Sequence, residues 1–223
     1  MLADTLSETL QRLENAAKDA HRPSPALLAV SKLQAASAVA ELARAGQRAF
    51  GENYVQEAQG KIAELADMDL EWHLIGHLQS NKADIAARLF DWVQTVDRHK
   101  LIGALSRNRP AERPPLNVLI QVNIDDEASK HGCSPGEIDA LAAAVAAEPG
   151  LRLRGLMAIP APHADPALRT VAFARMQALY TTLAAQHAGV DTLSMGMSDD
   201  FPLAIAEGST MVRIGTALFG ARD

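Results

Sequence analysis

The sequence predicts a closed parallel barrel of alternating strands and helices, and three observations favour this fold class. Short apolar runs alternate with amphipathic helical stretches along the whole chain, which is typical of parallel strands joined by crossover helices. The chain contains about eight such units, the number that closes a (β/α)8 barrel. No linker or low-complexity tract divides the 223 residues, so we expect residues 1–223 to form one domain. An open doubly wound sheet is the rival architecture.

The elements follow in order from these patterns. An extra helix opens the chain, because Leu2, Leu6, Leu10 and Leu13 recur at helical spacing. Prolines in the segment 21–25 end it. The predicted strands are short apolar runs at 27–32, 48–51, 71–75, 92–95, 116–123, 151–159, 192–195 and 211–214. The predicted helices lie between them at 35–45, 55–66, 81–89, 98–107, 135–148, 166–187 and 199–207.

Composition excludes several classes of protein. The formal net charge of −6 argues against a nucleic-acid-binding surface, which requires a basic face. Cys133 is the only cysteine, so no intrachain disulfide is possible and a reducing compartment is favoured. The first residues lack the pattern of a signal peptide, and apolar runs such as 141–147 are too short to span a bilayer. We therefore expect a cytoplasmic protein with no membrane or nucleic-acid partner. We also expect a monomer.

Lys32 stands where the first predicted strand ends. Burying a lysine is unfavourable unless it is paired or neutral, and burial lowers the pKa of the ammonium group. A neutral amine can attack a carbonyl carbon and hold it as a Schiff base. The ordinary alternative is a strand-end lysine whose ammonium group reaches solvent.

Two segments near the end of the chain suit a phosphate group. In barrels of this type, the loops after the seventh and eighth strands commonly bind phosphate with the help of a helix N-terminus. We expect Ser198 to open a helix, so that its hydroxyl and the following N–H groups could bind an anion. The alternative for Ser198 is an ordinary N-cap. Gly215 and Thr216 follow the last strand and could donate further hydrogen bonds.

Arg213 ends the last apolar strand, where it points into the site or forms a salt bridge with a neighbouring carboxylate. With Lys32 at the first strand, the barrel mouth would then offer an amine on one side and an anion cradle on the other. A phosphate-bearing aldehyde would satisfy both ends. Pyridoxal 5′-phosphate (PLP) is the natural candidate for this combination.

Six ordered motifs also carry a resemblance that spans nearly the whole chain. They are LAVSK at 28–32, FGENYVQE at 50–57, HLIGHLQSNK at 73–82, GLMAIP at 155–160, LSMGMSD at 193–199 and VRIGT at 212–216. In these motifs the chain resembles the pyridoxal phosphate homeostasis protein family, whose members are similar to the N-terminal domain of alanine racemase. The resemblance implies a TIM-type barrel of the fold type III PLP-binding class.

The resemblance also implies which residues bind the cofactor: Lys32, Asn53, Ser198, Arg213, Gly215 and Thr216. Lys32 carries the Schiff base, and Arg213 contacts the pyridine nitrogen. Ser198, Gly215 and Thr216 are the phosphate ligands, and Asn53 lies near the cofactor. In the family, the loop that bears Lys130 lies near the barrel mouth. The prediction includes no catalytic residue.

An arginine at the pyridine nitrogen has a mechanistic consequence. Arginine only donates hydrogen bonds, so the ring nitrogen must accept one and stay unprotonated. The ring is then a weaker electron sink. Alanine racemases of this fold share the arginine but also use a second base, a tyrosine, and an additional β-rich domain. We expect that domain to be absent, because the chain ends at Asp223 directly after the last barrel unit; its only tyrosines are Tyr54 and Tyr180.

The resulting hypothesis is a non-catalytic PLP-binding protein that acts in intracellular PLP homeostasis as a carrier, buffer or regulator. PLP-dependent apo-enzymes are its expected partners. A low-turnover amino-acid racemase is the enzyme alternative, and a scaffold that merely retains the lysine is the structural one. His73 and His77 have the spacing of a metal pair on a helix, but Gly76 and the strand context predict no metal site.

Overall fold

The chain folds into a closed barrel of eight parallel strands. The structure, a computed structural model, describes residues 1–127, 130–161 and 163–220. The strands are β1 (Ala26–Val30), β2 (Ala49–Glu52), β3 (Glu71–Leu74), β4 (Trp92–Val96), β5 (Leu116–Gln121), β6 (Leu151–Met157), β7 (Thr192–Ser194) and β8 (Met211–Ile214). β1 pairs with β8 in parallel, so the barrel closes and the open-sheet alternative is wrong. The expected end of the barrel at Asp223 lies outside the described residues.

Helices follow the strands around the outside. They are α1 (Leu2–Asp19), α2 (Ala36–Arg44), α3 (Val55–Glu64), α4 (Ala83–Leu89), α5 (His99–Asn108), α6 (Ile138–Ala146), α7 (Pro166–Gln186), α8 (Phe201–Ala206) and α9 (Thr216–Phe219). The predicted extra helix is α1, which buries Leu6, Leu13 and Ala17. None of the helices in the described part of the chain combines the length and apolar character that crossing a bilayer requires.

The start of α8 corrects one sequence-based expectation. We expected Ser198 to open this helix, but Asp200 is its N-cap and the residues from Ser198 to Asp200 form a turn. The backbone N–H of Met197 donates to Asp200 Oδ1 at 2.7 Å, which closes the turn. Pro202 lacks a backbone N–H and therefore fits the first helical turn, where no intrahelical acceptor is needed. The short helix α9 was not predicted, because four residues carry no readable periodicity.

The barrel interior is built from a few large side chains and a polar layer. Trp92, Leu119 and Met157 form an apolar cluster separate from the main core between strands and helices. Gln94 shares the strand face of Trp92 and reaches the sulfur of Met211 across the barrel at 3.2 Å. The interior is therefore apolar at the level of Trp92 and polar at the level of Gln94.

Candidate functional site

A cavity of about 260 Å³ opens at the C-terminal ends of the strands. This is the end at which barrels of this class place their sites. The lining residues come from six of the eight strands or the loops after them: Val30, Lys32, Asn53, Ile75, Ile159, Met197, Ser198, Asp199, Arg213, Gly215 and Thr216. All six residues predicted from the sequence to bind the cofactor are in this set, so the fold brings them together.

A larger cavity, of about 460 Å³, opens near the opposite end of the barrel. Arg48, Glu71, Asp91 and Asn117, which line it, lie at or just before the starts of β2, β3, β4 and β5. In barrels of this class the active site lies at the other end, where the loops after the strands meet. We therefore assign the functional site to the smaller cavity.

Lys32 reaches the cavity because β1 ends two residues before it. Val30 and Lys32 both line the cavity, whereas the intervening Ser31 points to the outside of the barrel. The backbone then turns sharply, since Leu33 has a φ of +62°. The N–H of Leu33 donates to Glu57 Oε1 at 2.5 Å, which holds this turn against α3. The half-buried Lys32 therefore sits on a segment that is anchored on both sides.

A buried ionic cluster anchors this segment. Lys61 Nζ lies 2.8 Å from Glu52 Oε1, 2.6 Å from Glu57 Oε1 and 2.6 Å from the carbonyl oxygen of Ser31. The hydroxyl of Ser31 also donates to Glu52 Oε1 at 2.5 Å. We name Ser31, Glu52, Glu57 and Lys61 the lysine-anchoring cluster. Burial raises the pKa of Glu52, and the hydrogen bonds from Lys61 and Ser31 oppose that shift.

Sequence reasoning did not identify this cluster. Glu57 and Lys61 have the i,i+4 spacing of an ion pair on one helix, a signal that was available. Glu52, which is fully buried, ends an otherwise apolar strand. Its contact with Lys61 depends on how β2 packs against α3, and no local pattern predicts that contact.

Arg213 projects from β8 into the barrel and is almost fully buried. Its Nη1 donates to Ser194 Oγ at 2.7 Å, and its Nη2 donates to the carbonyl oxygen of Ala158 at 2.8 Å. Burial lowers the pKa of Arg213 to about 10, while the negative charge of Asp200 acts to raise it. The guanidinium thus stays protonated at neutral pH. Its hydrogen-bond partners are a hydroxyl and a carbonyl, rather than the carboxylate of the salt-bridge alternative.

A chain of hydrogen bonds runs from Arg213 through the barrel interior. Ser194 Oγ donates to Gln94 Oε1 at 2.7 Å, and Gln94 Nε2 lies 2.9 Å from His73 Nδ1. His73 Nε2 lies 2.8 Å from Glu71 Oε1. An amide nitrogen can only donate, so His73 Nδ1 accepts and its Nε2–H donates to Glu71. This hydrogen bond is the main cause of the lowered pKa of Glu71.

These hydrogen bonds orient the side chain of Arg213. Each bond has one defined donor and one acceptor, so the bonded side chains in the barrel interior hold the guanidinium in one orientation. Sequence reasoning assigned His73 to a strand but did not single out Gln94 or Ser194. Both belong to short strands that also contain a threonine, Thr95 in β4 and Thr192 in β7, so no polar exception in an apolar run singled them out.

Two close backbone approaches shape the cavity, one beside Asn53 and one at Gly215 after β8. A Cβ added at Gly76 would lie 2.1 Å from the carbonyl oxygen of Asn53, so only glycine lets the loops after β2 and β3 meet here. Gly215 packs closely against Val30. A Cβ added at Gly215 would lie 3.2 Å from the carbonyl oxygen of Val30. Ser198 and Thr216, which follow the paired strands β7 and β8, line the same cavity as Gly215.

Other residues weighed from the sequence occupy different places. Tyr54 is 58% exposed and Tyr180 lies in the middle of α7, and the cavity lining within the described ranges contains no tyrosine. Lys130 Nζ lies 3.4 Å from the carbonyl oxygen of the lining residue Ile159, so its loop adjoins the cavity as the resemblance implied. Burial raises the pKa of Cys133 to about 12, which keeps this thiol protonated.

Comparison of the amino-acid sequence with known proteins places the chain in a protein family. The family model of the alanine racemase N-terminal domain matches residues 4–223. The pyridoxal phosphate homeostasis protein of Pseudomonas aeruginosa is 56% identical, with 100% of this chain and 96% of the relative aligned. The protein of the same name from Escherichia coli K12 is 54% identical, with 100% and 97% aligned.

Comparison with solved structures agrees with this. PipY of Synechococcus elongatus, solved without PLP, superposes with a TM-score of 0.89 at 38% identity and covers 99% of this chain and 100% of its own. The same protein solved with PLP bound superposes with a TM-score of 0.86. Alanine racemase of Corynebacterium glutamicum, at 21% identity and a TM-score of 0.67, shares the fold over 61% of its length.

Proposed function

Since the chain belongs to the pyridoxal phosphate homeostasis protein family, whose domain is the alanine racemase N-terminal domain, we propose that it binds PLP as a Schiff base on Lys32. Its role is in intracellular PLP homeostasis, as a carrier, buffer or regulator of the cofactor. The observation that carries the proposal is one cavity lined by Lys32, Arg213 and a group of hydroxyl and backbone donors. These groups match the three polar features of PLP: an aldehyde, a pyridine nitrogen and a phosphate.

Each residue has a distinct task in this proposal. The amine of Lys32 would condense with the aldehyde of PLP and release water, and the lysine-anchoring cluster keeps the amine at the cavity. The hydroxyls of Ser198 and Thr216 and the backbone at Gly215 hold the phosphate. Asn53 closes the cavity between β2 and β3.

Arg213 donates to the pyridine nitrogen, which must then act as an acceptor. PLP supplies an electron sink to reactions at amino-acid carbons, and that sink is strongest when the ring nitrogen is protonated. Hydrogen bonds to Ser194 and Ala158 orient the guanidinium, which keeps its protons at neutral pH and therefore does not protonate the ring nitrogen. This arrangement favours holding the cofactor over turning over amino acids.

The absence of a tyrosine from the described lining residues also supports a carrier over a racemase. A racemase needs a base on each face of its substrate, and tyrosine is the second base in the alanine racemases of this fold. Residues 1–223 form one PLP-binding domain in this proposal, and the protein works as a monomer in the cytoplasm. It delivers the cofactor to PLP-dependent apo-enzymes.

Borohydride trapping tests the attachment directly. Protein incubated with PLP should develop a visible absorbance band. Reduction should leave a pyridoxyl phosphate group on the peptide that contains Lys32, read by mass mapping. A colourless, unmodified protein would favour the scaffold alternative. In deuterated water, exchange of the α-proton of alanine at enzyme-like rates would overturn the carrier role in favour of the racemase.

The substitution Arg213→Gln tests the contact with the ring nitrogen. A hydrogen bond to a charged group contributes about 1.5–3 kcal/mol, so PLP retention should weaken roughly 10- to 100-fold. The absorbance spectrum should shift as well, because the donor at the ring nitrogen changes. Equilibrium dialysis and absorbance titration measure both effects. The exposed Arg44 provides the matched control, Arg44→Gln. If Arg213→Gln retains PLP as tightly as this control, with the same spectrum, the assignment of the ring nitrogen to Arg213 is wrong.

A further inference from the structure

A second cluster of polar side chains lies at the mouth of the barrel, outside the cavity. His77, Asp97 and His131 each offer one ligand atom, and these atoms all lie within 4.8 Å of one another. They come from the segments after β3, β4 and β5. None of the three lines the cavity, whose walls come from other parts of the barrel mouth. The cluster is therefore a separate feature of the same face.

The sequence offered a different pair of histidines and predicted no metal site there. His73 and His77 have the spacing of metal ligands, but His73 is buried in the barrel and bonded to Gln94 and Glu71. His77 instead stacks on His131, with ring centroids 3.7 Å apart and planes 14° apart. Its Nδ1 lies 3.9 Å from Asp97 Oδ2. Both imidazoles are exposed, so they can rotate without disturbing the core.

We propose that His77, Asp97 and His131 bind a divalent transition-metal ion of the Zn²⁺ class. Two imidazole nitrogens and one carboxylate oxygen are a donor set of the kind found in open zinc sites, which take three protein ligands and leave one position for water or another ligand. Metal–ligand distances of about 2.0–2.2 Å require the stacked rings of His77 and His131 to rotate so that their nitrogens converge with the carboxylate oxygen of Asp97. Imidazole donors disfavour Mg²⁺ and Ca²⁺, which prefer all-oxygen sites.

The surroundings orient the ligands. Arg98 Nη1 donates to Asp97 Oδ1 at 2.5 Å, which leaves Oδ2 facing His77. Such partners behind a ligand typically fix its orientation. The carbonyl oxygen of His131 accepts from the amide of Gln121 at 3.3 Å. The next residue, Gly132, has a φ of +121° and no room for a Cβ beside Asn123, so the backbone at His131 is held in place.

A bound ion would tie the loop after β5, which carries Lys130, to the loops after β3 and β4.

Zn²⁺ titration of the untagged chain tests the site. Isothermal calorimetry should give one Zn²⁺ per chain, and Zn²⁺ should raise the melting temperature of the protein. His131→Ala and His77→Gln should each weaken binding by about 10-fold or more and remove the thermal shift. The matched control is His187→Ala, because this histidine follows α7 at the opposite end of the barrel. The control should bind Zn²⁺ like the unmodified chain.

Two results would overturn the proposal. One is a chain that binds no stoichiometric Zn²⁺, and the other is unchanged affinity in both histidine variants. The variant Lys32→Ala separates this site from the cofactor cavity. Zn²⁺ binding should persist in that variant, whereas loss of Zn²⁺ binding there would mean that the metal depends on the cofactor site instead. The outcome is thus independent of whether Lys32 binds PLP.

Discussion

Lys32→Ala should abolish the covalent PLP adduct completely. Alanine has no amine, so no Schiff base forms and the visible absorbance band is lost. Weak, reversible binding of PLP should remain, because Ser198, Thr216 and Arg213 still line the cavity. Absorbance and borohydride trapping measure the covalent adduct, and equilibrium dialysis measures the residual binding.

Two further variants make the result specific. The Lys32→Arg variant keeps a positively charged side chain of similar length but cannot form the Schiff base, so it should also stay colourless. Lys18→Ala removes an exposed lysine from α1 and should leave the adduct unchanged. If Lys32→Ala still yields a reduced pyridoxyl phosphate group on another lysine with undiminished absorbance, Lys32 is not the attachment residue.

Lys61→Met should cause the largest loss of stability among these substitutions. Methionine keeps much of the side-chain volume but removes the ammonium group between Glu52 and Glu57. Breaking a buried ion pair on one side typically lowers the free energy of unfolding by about 3–5 kcal/mol, because the remaining charge is left uncompensated. The carbonyl oxygen of Ser31 also loses its donor, so PLP retention at the adjacent Lys32 should fall.

The loss of stability caused by Lys61→Met should increase as the pH rises. Burial already raises the pKa of Glu52 above its ordinary value of 4.5, and Lys61 opposes that rise. In the Lys61→Met variant the pKa of Glu52 should be higher still. When folding raises the pKa of a carboxyl group, the folded protein loses stability as the pH rises through the folded-state pKa. The destabilisation should therefore be smaller at about pH 5 than at about pH 8.

Denaturant titrations at the two pH values provide the measurement. Lys18→Met is the matched control, because Lys18 forms an exposed i,i+4 pair with Glu14 and such pairs contribute only about 0–1 kcal/mol. The double variant Glu52→Gln, Lys61→Met should recover part of the loss, since the amide carries no charge. Equal destabilisation by Lys61→Met and Lys18→Met would contradict the role of the lysine-anchoring cluster.

The fold and the cavity were largely readable from the sequence. The alternation of apolar runs and amphipathic stretches records local periodicity, and it predicted all eight strands to within a few residues. Chain order then placed Lys32 and Arg213 at the mouth, because β1 and β8 are neighbours in a closed barrel. The motifs carried the remaining lining residues. Ser198 was placed in the cavity correctly although the helix after it begins later, at Phe201.

The sequence by itself therefore determined the eight strand–helix units, their order along the chain and the predicted residues of the cavity, whereas the pairing of β1 with β8 decided that the sheet closes into a barrel. Only the tertiary structure decided which side chains support those cavity residues. Gln94 and Ser194 are 100 positions apart, and Glu52 meets Lys61 across two different elements. His77 proved to face His131 rather than His73. The physical reason is that backbone periodicity is a local property, whereas a buried polar contact depends on how separate strands and helices pack in three dimensions.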